Sequence, residues 1–247
     1  MIKGIYASGS GMQPRLMRLD VIANNIANAD TTGYKKDSIF VQIMKNAGVA
    51  QSTGQGELAG LDVKEFTDFS PGSLRPTNGP LDIAINGEGF FVLDTPDGMR
   101  YTRNGNFRID DNGDIVNANG FYLMGNSGRI NVPGAEQVEQ QDLLITKSGD
   151  IVLGKTAIGR VRVVEFQGMQ DMLKSAGTMF MTKEQPKDVR LSDETTTIRQ
   201  GYLEESNVEA LTEMVQLVEL TRGFETDQRT MRYQDSTLEK AMDVGRV

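Results

Sequence analysis

The residue types on which most hydrolytic enzymes depend are missing from this chain. It contains no histidine and no cysteine, so a Ser-His-Asp triad, a Cys-His pair and the usual zinc ligand sets are excluded. Paired carboxylates remain available, because a glycosidase needs only two acids beside the scissile bond. The candidates are Asp94, Asp97 and Asp110. Each lies near a turn glycine and no pattern places two of them in one pocket, so a secreted carbohydrate-active enzyme stays an alternative from another class.

Two short motifs resemble ligand loops but lack a required residue. An EF-hand calcium loop needs glycine at its sixth position, and counting from Asp110 places Ile115 there. Gly87-Glu88-Gly89 is half of a phosphate-binding fingerprint, without its third glycine. Tight turns between strands explain both motifs. The sequence therefore predicts no catalytic residue, no metal ligand and no cofactor.

The composition argues against two classes of partner. A formal charge of -8 disfavours nucleic acid, whose phosphates require a basic face. The chain has no apolar run of about 18 residues, the length that spans a bilayer, so no membrane insertion is predicted. Its first residues, Met1 to Gly4, lack the apolar core of a secretory signal. We therefore expect export, where it occurs, by a route without a cleaved signal peptide.

The middle of the chain alternates apolar with polar or small residues, as a strand with one buried face does. Leu81, Ile83 and Ile85 follow this alternation and end at an Asn-Gly turn. Further short strands separated by Asn-Gly and Asp-Gly turns continue to about residue 167. The pattern predicts a central antiparallel all-β domain over 76–190.

Apolar residues near the N-terminus recur at alternating steps of three and four. This spacing places a narrow seam on one face of a helix, which favours packing against another helix. Pro14 and several glycines weaken the first half, so we expect that half to order only on association. The N-terminal seam consists of Ile2, Ile5, Gly9, Met12, Leu16, Leu19, Ala23 and Ile26.

A second seam, with seven-residue spacing, lies near the other end of the chain. A capping box at Ser206 and Glu209 precedes most of it. The row beside it holds Thr221, Gln228 and Asp235 where a two-helix zipper would have leucine. Either this helix stays partly exposed or neighbouring copies complete its packing. The C-terminal seam consists of Leu203, Ala210, Leu217, Phe224, Met231 and Leu238, with Met214 and Met242 four positions after two of them.

Together these patterns predict an α+β fold. Residues 1–30 and 204–247 form N- and C-terminal helices paired as a coiled-coil-like assembly domain, 31–75 an extended arm or hairpin, 76–190 the β domain and 191–203 a return linker. Because both ends are predicted to associate, assembly is the expected use of such a chain. A monomeric adhesin-like binding module is the other alternative.

Three blocks of sequence resemble, in the same order, the bacterial flagellar rod and hook family. The first is LDVIANNIANADTTGYKK, from Leu19 to Lys36. The second is PLDIAINGEGFF at 80–91, followed by YTRNGNF at 101–107. The third is QGYLEESNV at 200–208. Blocks at the start, middle and end of the chain make this resemblance specific.

The resemblance implies a structural subunit of the flagellar basal-body rod, without enzymatic activity. In that family the terminal helices form an inner coiled-coil tube around the export channel, the arm after Tyr34 packs between subunits and the β domain forms the outer layer. The implied role is a drive shaft that transmits torque. The implied partners are other copies of the chain, neighbouring rod proteins and the flagellar type III export apparatus. The implied location is the rod, in the periplasmic space.

Within that family the chain is predicted to be a proximal rod protein. A hook subunit would be longer and carry an additional outer domain. Distal rod proteins tend to carry Gly-x-Gly-Val after the arm, whereas residues 58–63 of this chain are LAGLDV. A distal rod protein of the same family is kept as the alternative.

The residues predicted to form the assembly interface belong to the two seams and to the first and third blocks of the resemblance. They are Ile5, Met12, Leu16, Leu19, Ala23, Asn24, Asn25, Ile26, Asn28, Thr32, Gly33, Tyr34, Leu203, Asn207, Met214, Leu217, Thr221, Phe224, Gln228, Met231 and Leu238.

Overall fold

The chain is mostly β, with one helix towards each end. The computed structural model describes residues 2–43, 61–134, 143–166, 168–169, 172–182, 186–189, 191 and 196–244. Strands account for 40% of the structure. Two helices lie within the described ranges, α1 at Ile2–Ala27 and α2 at Ala210–Val244.

The strands are short and follow one another closely, as the repeated turn dipeptides predict. They are β1 Asp37–Ile43, β2 Leu61–Thr67, β3 Leu74–Pro76, β4 Ile83–Asn86, β5 Phe90–Thr95, β6 Gly98–Thr102, β7 Phe107–Ile109, β8 Ile115–Asn117, β9 Tyr122–Gly125, β10 Gly128–Arg129, β11 Leu143–Ile145, β12 Asp150–Leu153, β13 Thr156–Arg160, β14 Val163–Glu165, β15 Leu173–Ala176, β16 Met179–Met181, β17 Lys187–Asp188, β18 Thr197–Gln200 and β19 Tyr202–Glu204.

The predicted fold class, α+β with the terminal helices paired as a coiled coil, is wrong. Strands predominate, and the structure does not show coiled-coil pairing. Leu203, the first member of the C-terminal seam, lies in β19 and not in a helix. Leu16 and Met214 are 45% and 49% exposed, so neither is enclosed by a facing helix. A seven-residue spacing marks an apolar face on a helix, but it does not determine what covers that face.

The chain divides into two compact units. The terminal unit comprises Met1–Ala27, Lys36–Asp68 and Val208–Val247, and the β unit comprises Asn28–Lys35 and Phe69–Asn207. Each unit is therefore assembled from segments that are far apart in the sequence.

Strands β1 and β2 of the terminal unit pair as an antiparallel two-stranded ribbon. The register runs from Asp37 opposite Thr67 to Ile43 opposite Leu61. Residues 44–60, which join the two strands, lie outside the described residues. Two strands alone are marginal in water, so packing against other elements must support the ribbon.

The largest sheet of the β unit has the strand order β15-β16-β6-β5-β9-β8-β7, with β10 beside β9 and β14 between β5 and β17. Strands β11, β12 and β13 form a second sheet, while β18 pairs with β4 and β19 with β3. All of the strand pairs described here are antiparallel. The stretch predicted to be a return linker thus contributes β18 and β19 to this unit.

Strand β5 is buried on both faces. Phe91 and Leu93 belong to one hydrophobic cluster, whereas Phe90 and Val92 belong to another. All four side chains are at most 1% exposed. Successive residues of a strand point to opposite faces, so this single strand contributes to both cores. The four-residue apolar run is the sequence signal of that position.

The short strand β11 allows a matched test of this core. Leu143 is 2% exposed and its neighbour Leu144 is 58% exposed. We expect Leu143→Ala to lower the free energy of unfolding by about 2–5 kcal/mol because it leaves a cavity. Leu144→Ala should lower it by less than about 0.5 kcal/mol. Urea unfolding of both variants measures the difference, and equal losses would contradict the described strand orientation.

Candidate assembly surface

Helices α1 and α2 pack antiparallel in the terminal unit, and polar side chains join them at two levels. Arg15 Nη1 donates to Asp227 Oδ2 at 2.5 Å. Ten residues further along α1, Asn25 Nδ2 lies 3.4 Å from Oε2 of Glu213. As the residue number rises along α1, the number of its contact residue on α2 falls, so the two helices run in opposite directions.

Asn25 joins three elements of the terminal unit. Its Nδ2 donates to the carbonyl oxygen of Asp37 at 2.8 Å, and the Asp37 N–H donates to its Oδ1 at 3.0 Å. Glu213, also buried, forms an ion pair with Lys36 at 2.5 Å. Buried polar groups need such partners because an unsatisfied group costs about 1–3 kcal/mol. This network fixes α1, the start of the ribbon and α2 to one another.

The terminal unit has a thin hydrophobic core. Among its described side chains only Val21, Ile22, Asn25 and Glu213 are buried, and two of these are polar. Eight large apolar side chains of the same unit are exposed instead: Leu16, Phe40, Phe66, Leu211, Met214, Val215, Val218 and Tyr233. Such a concentration of exposed apolar side chains is typical of a surface that binds another protein.

Four of these exposed side chains form one line on α2. Leu211, Met214, Val215 and Val218 are between 49% and 73% exposed, and they are spaced at i, i+3, i+4 and i+7. That spacing places them on a single helix face. We call this set the α2 stripe.

Two more of the eight exposed apolar side chains, Phe40 and Phe66, lie on one face of the ribbon. Phe40 is opposite Lys64 and Phe66 is opposite Ser38, so the two rings are diagonal neighbours on the same face. They are 59% and 49% exposed. We call them the ribbon aromatic pair.

The predicted interface residues on the helices differ widely in exposure. Asn25 is buried, and Ala23 and Asn24 are exposed next to it. On α2, Met214 and Thr221 are exposed. The side chains of Ile5 and Leu238 lie outside the described part of the chain. Seven further predicted residues on the helices are half-buried: Met12, Leu19, Ile26, Leu217, Phe224, Gln228 and Met231.

Other predicted interface residues lie in the β unit and make contacts there. Thr32 Oγ1 is 3.1 Å from Asn104 Oδ1, and Lys174 Nζ lies 3.8 Å from the centre of the buried Tyr34 ring. Asn28 Oδ1 accepts from Thr31 Oγ1 at 3.2 Å. Leu203 is buried, and Asn207 is half-buried and donates to Ser70. Their contribution to contacts between subunits stays a prediction.

Sequence reasoning missed most of the α2 stripe and the whole ribbon aromatic pair. The sequence contains the helical spacing of Leu211, Val215 and Val218. The predicted C-terminal seam followed the seven-residue repeat instead, which includes none of these three residues. For Phe40 and Phe66 the signal is weaker, because a strand register across an intervening segment cannot be inferred locally.

Two of the three carboxylates considered as catalytic acids, Asp94 and Asp110, make structural contacts. Asp94 Oδ2 accepts from Arg129 at 2.6 Å and 2.9 Å. Asp110 Oδ1 accepts from the N–H groups of Asn112 and Asp114, at 3.0 Å and 2.8 Å. Gly113 has a φ of 84°, which glycine adopts without strain. The predicted hairpin turn at this position is confirmed.

The described residues contain no group of three or more acidic side chains placed to hold a metal ion. Within the same ranges, neither helix combines the length and the apolar character needed to cross a membrane.

Three family profiles match this chain, in sequence order. Residues 5–35 match the flagella basal body rod protein family, residues 84–153 the D1 domain of the flagellar hook protein FlgE/F/G, and residues 199–244 the C-terminal region of the flagellar basal body rod FlgEFG proteins. The matches include the terminal helices and much of the β unit.

Curated relatives match along almost their whole length. The flagellar basal-body rod protein FlgG of Bacillus subtilis is 28% identical over 268 residues, covering 100% of both chains. The rod protein FlgF of Rhizobium meliloti is 29% identical over 247 residues, covering 98% of both. FlgG of Borreliella burgdorferi is 27% identical, covering 96% of this chain and 97% of its own.

Gly33, in the first matched region, has a backbone that only glycine fits. Its φ is +67°, and a Cβ there would lie 2.3 Å from the Asn104 backbone nitrogen. Gly154 has a similar φ of +59° with open space around it. We expect Gly154→Ala to cost about 1–2 kcal/mol for the left-handed backbone alone. Gly33→Ala should cost clearly more, because backbone must also move.

Thermal unfolding of the two alanine variants measures this comparison. We expect the larger fall in melting temperature for Gly33→Ala. Equal falls would show that the close approach to Asn104 adds nothing, and that the left-handed backbone alone requires glycine at Gly33.

Proposed function

We propose that this chain, which belongs to the family of flagellar basal-body rod proteins, joins the rod through the exposed apolar surfaces of its terminal unit. The chain is a structural subunit of the rod. The family is structural, which favours this role over the enzyme and the adhesin-like module. The finer proposal concerns which surfaces bind, and to what.

The observation that carries the proposal is the thin core of the terminal unit. Fully burying a Val, Leu or Met side chain is worth about 1.5–3 kcal/mol, so covering the half-exposed α2 stripe is worth roughly 3–6 kcal/mol. Association itself costs about 4–15 kcal/mol. One stripe contact offsets only the lower part of that cost, so association over the whole range needs several surfaces of each subunit covered at once. A polymer in which every subunit has more than one neighbour meets that requirement.

The α2 stripe and the ribbon aromatic pair are different surfaces of the same chain. When two different surfaces meet, the contact is head-to-tail, and repeated contacts extend a filament unless the rotation closes a ring. We propose that the α2 stripe of one copy packs against the ribbon aromatic pair of the next. Neighbouring rod proteins with equivalent surfaces would continue the stack at either end, and the resulting shaft would transmit torque.

The proposed export route and location are inferred from the family to which the chain belongs. We propose that the chain passes through the flagellar type III export apparatus and takes its place in the rod within the periplasmic space. The resemblance of the first and third sequence blocks supports this extension. A secretion assay in strains with and without a functional export gate tests it.

The position along the rod has two equal candidates. In the family that the chain resembles, FlgF is a proximal and FlgG a distal rod protein. Relatives named FlgF and relatives named FlgG match at the same level of identity and coverage. The sequence-based preference for the proximal rod depends on residues 58–63, of which 58–60 lie outside the described residues. A proximal and a distal position are therefore both proposed, and labelling the chain in isolated basal bodies distinguishes them.

A charge on the α2 stripe should block assembly without unfolding the subunit. Val215 is 53% exposed, so Val215→Asp should leave the melting temperature of the monomer nearly unchanged. In the rod the same carboxylate would lose its hydration against the ribbon aromatic pair, which is unfavourable. We expect loss of incorporation into basal bodies and loss of swimming in soft agar.

Thr212→Asp is the matched control, because it adds the same charge to the same exposed turn of α2 but away from the stripe. It should swim normally. Normal swimming by Val215→Asp would contradict the proposed surface, whereas loss of swimming by both variants would show that helix charge, and not the stripe, is responsible.

A further inference from the structure

One buried ion pair of the β unit lies beside most of the points where the chain enters or leaves that unit. The unit boundaries fall after residues 27, 35, 68 and 207. Lys35 Nζ is 2.6 Å from Glu204 Oε1 and donates to the carbonyl oxygen of Ser70 at 2.7 Å. These two contacts alone connect the entry points near 35, 68 and 207.

Backbone and side-chain hydrogen bonds strengthen the same connection. The N–H of Gly72 donates to Glu204 Oε1 at 3.1 Å, and the N–H of Gly33 donates to the Glu204 carbonyl at 2.7 Å. Asn207 Nδ2 lies 3.2 Å from the Ser70 carbonyl and 3.1 Å from its Oγ. Residues from three distant segments of sequence thus share one carboxylate and its neighbours.

The pair is shielded from water. The Lys35 and Glu204 side chains are 0% and 1% exposed. Coulomb attraction is stronger where water is excluded, and hydrogen bonds between charged groups are about twice as strong as neutral ones. Removing one member of such a pair leaves an uncompensated buried charge and is strongly destabilising.

Arg103 supplies a second cation on the other side of the carboxylate. Its Nη1 lies 3.4 Å from Glu204 Oε2 and 3.0 Å from the carbonyl oxygen of Gly87. The guanidinium stacks 5.2 Å from the centre of the Phe90 ring, which anchors it to β5. Burial lowers the pKa of Arg103, and the charge of Glu204 opposes that shift. The cluster is thereby fixed to the central strand of the sheet.

We propose that Lys35 and Glu204 form a mechanical clamp, which makes the chain entry points near 35, 68 and 207 open together under load. Tension on one connection then reaches all three segments and, through Arg103, the core strand β5. Peeling one segment at a time would require breaking the ion pair first. This function goes beyond subunit assembly, because it concerns how a single chain resists force.

Single-molecule pulling on the full chain, tethered at its two termini, tests the clamp directly. Load then reaches the β unit at its first and last residues. In the native chain we expect the β unit to unfold in one step. In Lys35→Met we expect the segments at 28–35 and 200–207 to detach first, as a separate step at lower force. The rate at which the β unit leaves its fully folded state at fixed load should be at least about a hundredfold higher in Lys35→Met than in the native chain, in line with the loss of one partner of a buried pair.

Leu143→Ala is the control, because it weakens the same unit away from the entry points. The clamp is refuted if Lys35→Met unfolds in a single step, at a force that is no lower than the unfolding force of Leu143→Ala. The comparison requires that the two variants have equal melting temperatures. Should Lys35→Met fail to fold, the triple variant Lys35→Met/Arg103→Met/Glu204→Leu removes all three charges together and leaves none unpaired. It should fold and show the early detachment step, and a single native-like step would equally refute the clamp.

Discussion

Among its described residues, the terminal unit leaves more large apolar side chains exposed than it buries, and most of the account depends on that constraint. Val21 and Ile22 are its buried apolar side chains among the described residues, whereas the α2 stripe and the ribbon aromatic pair stay in solvent. A two-helix and two-strand arrangement has too little thickness to enclose more. In the proposed assembly, the covering surface comes from a neighbouring subunit of the rod.

The β unit has the opposite character. Strand β5 is enclosed on both faces, and the antiparallel sheets around it form two hydrophobic clusters within one chain. The buried Glu204 carboxylate also has its partners within the unit: Lys35, Arg103 and the Gly72 N–H. In the proposed assembly, the β unit stays folded as in the monomer, and the terminal unit completes its burial only in the polymer. On that proposal folding and assembly depend on different residues, so each can be altered separately.

The sequence predicted the two parts unequally. Local patterns located the strands, because the alternation at Leu81, Ile83 and Ile85 reports burial directly and Asn-Gly turns fix where strands end. The seven-residue spacing near the C-terminus was misleading: Leu203 satisfies it but lies in a strand. Lys35 and Glu204 are far apart in the sequence, and nothing local indicates that they meet. Long-range pairs of this kind are determined by topology, and a single sequence does not report topology.

Imaging of purified basal bodies, at a resolution that identifies side chains in each rod layer, tests the central claim most directly. The account predicts density for this chain in the rod, with Val215 and Val218 of one copy buried against Phe40 and Phe66 of a neighbouring copy. Finding this chain in the rod with the α2 stripe facing solvent, or finding no density for it in the rod, would contradict the account.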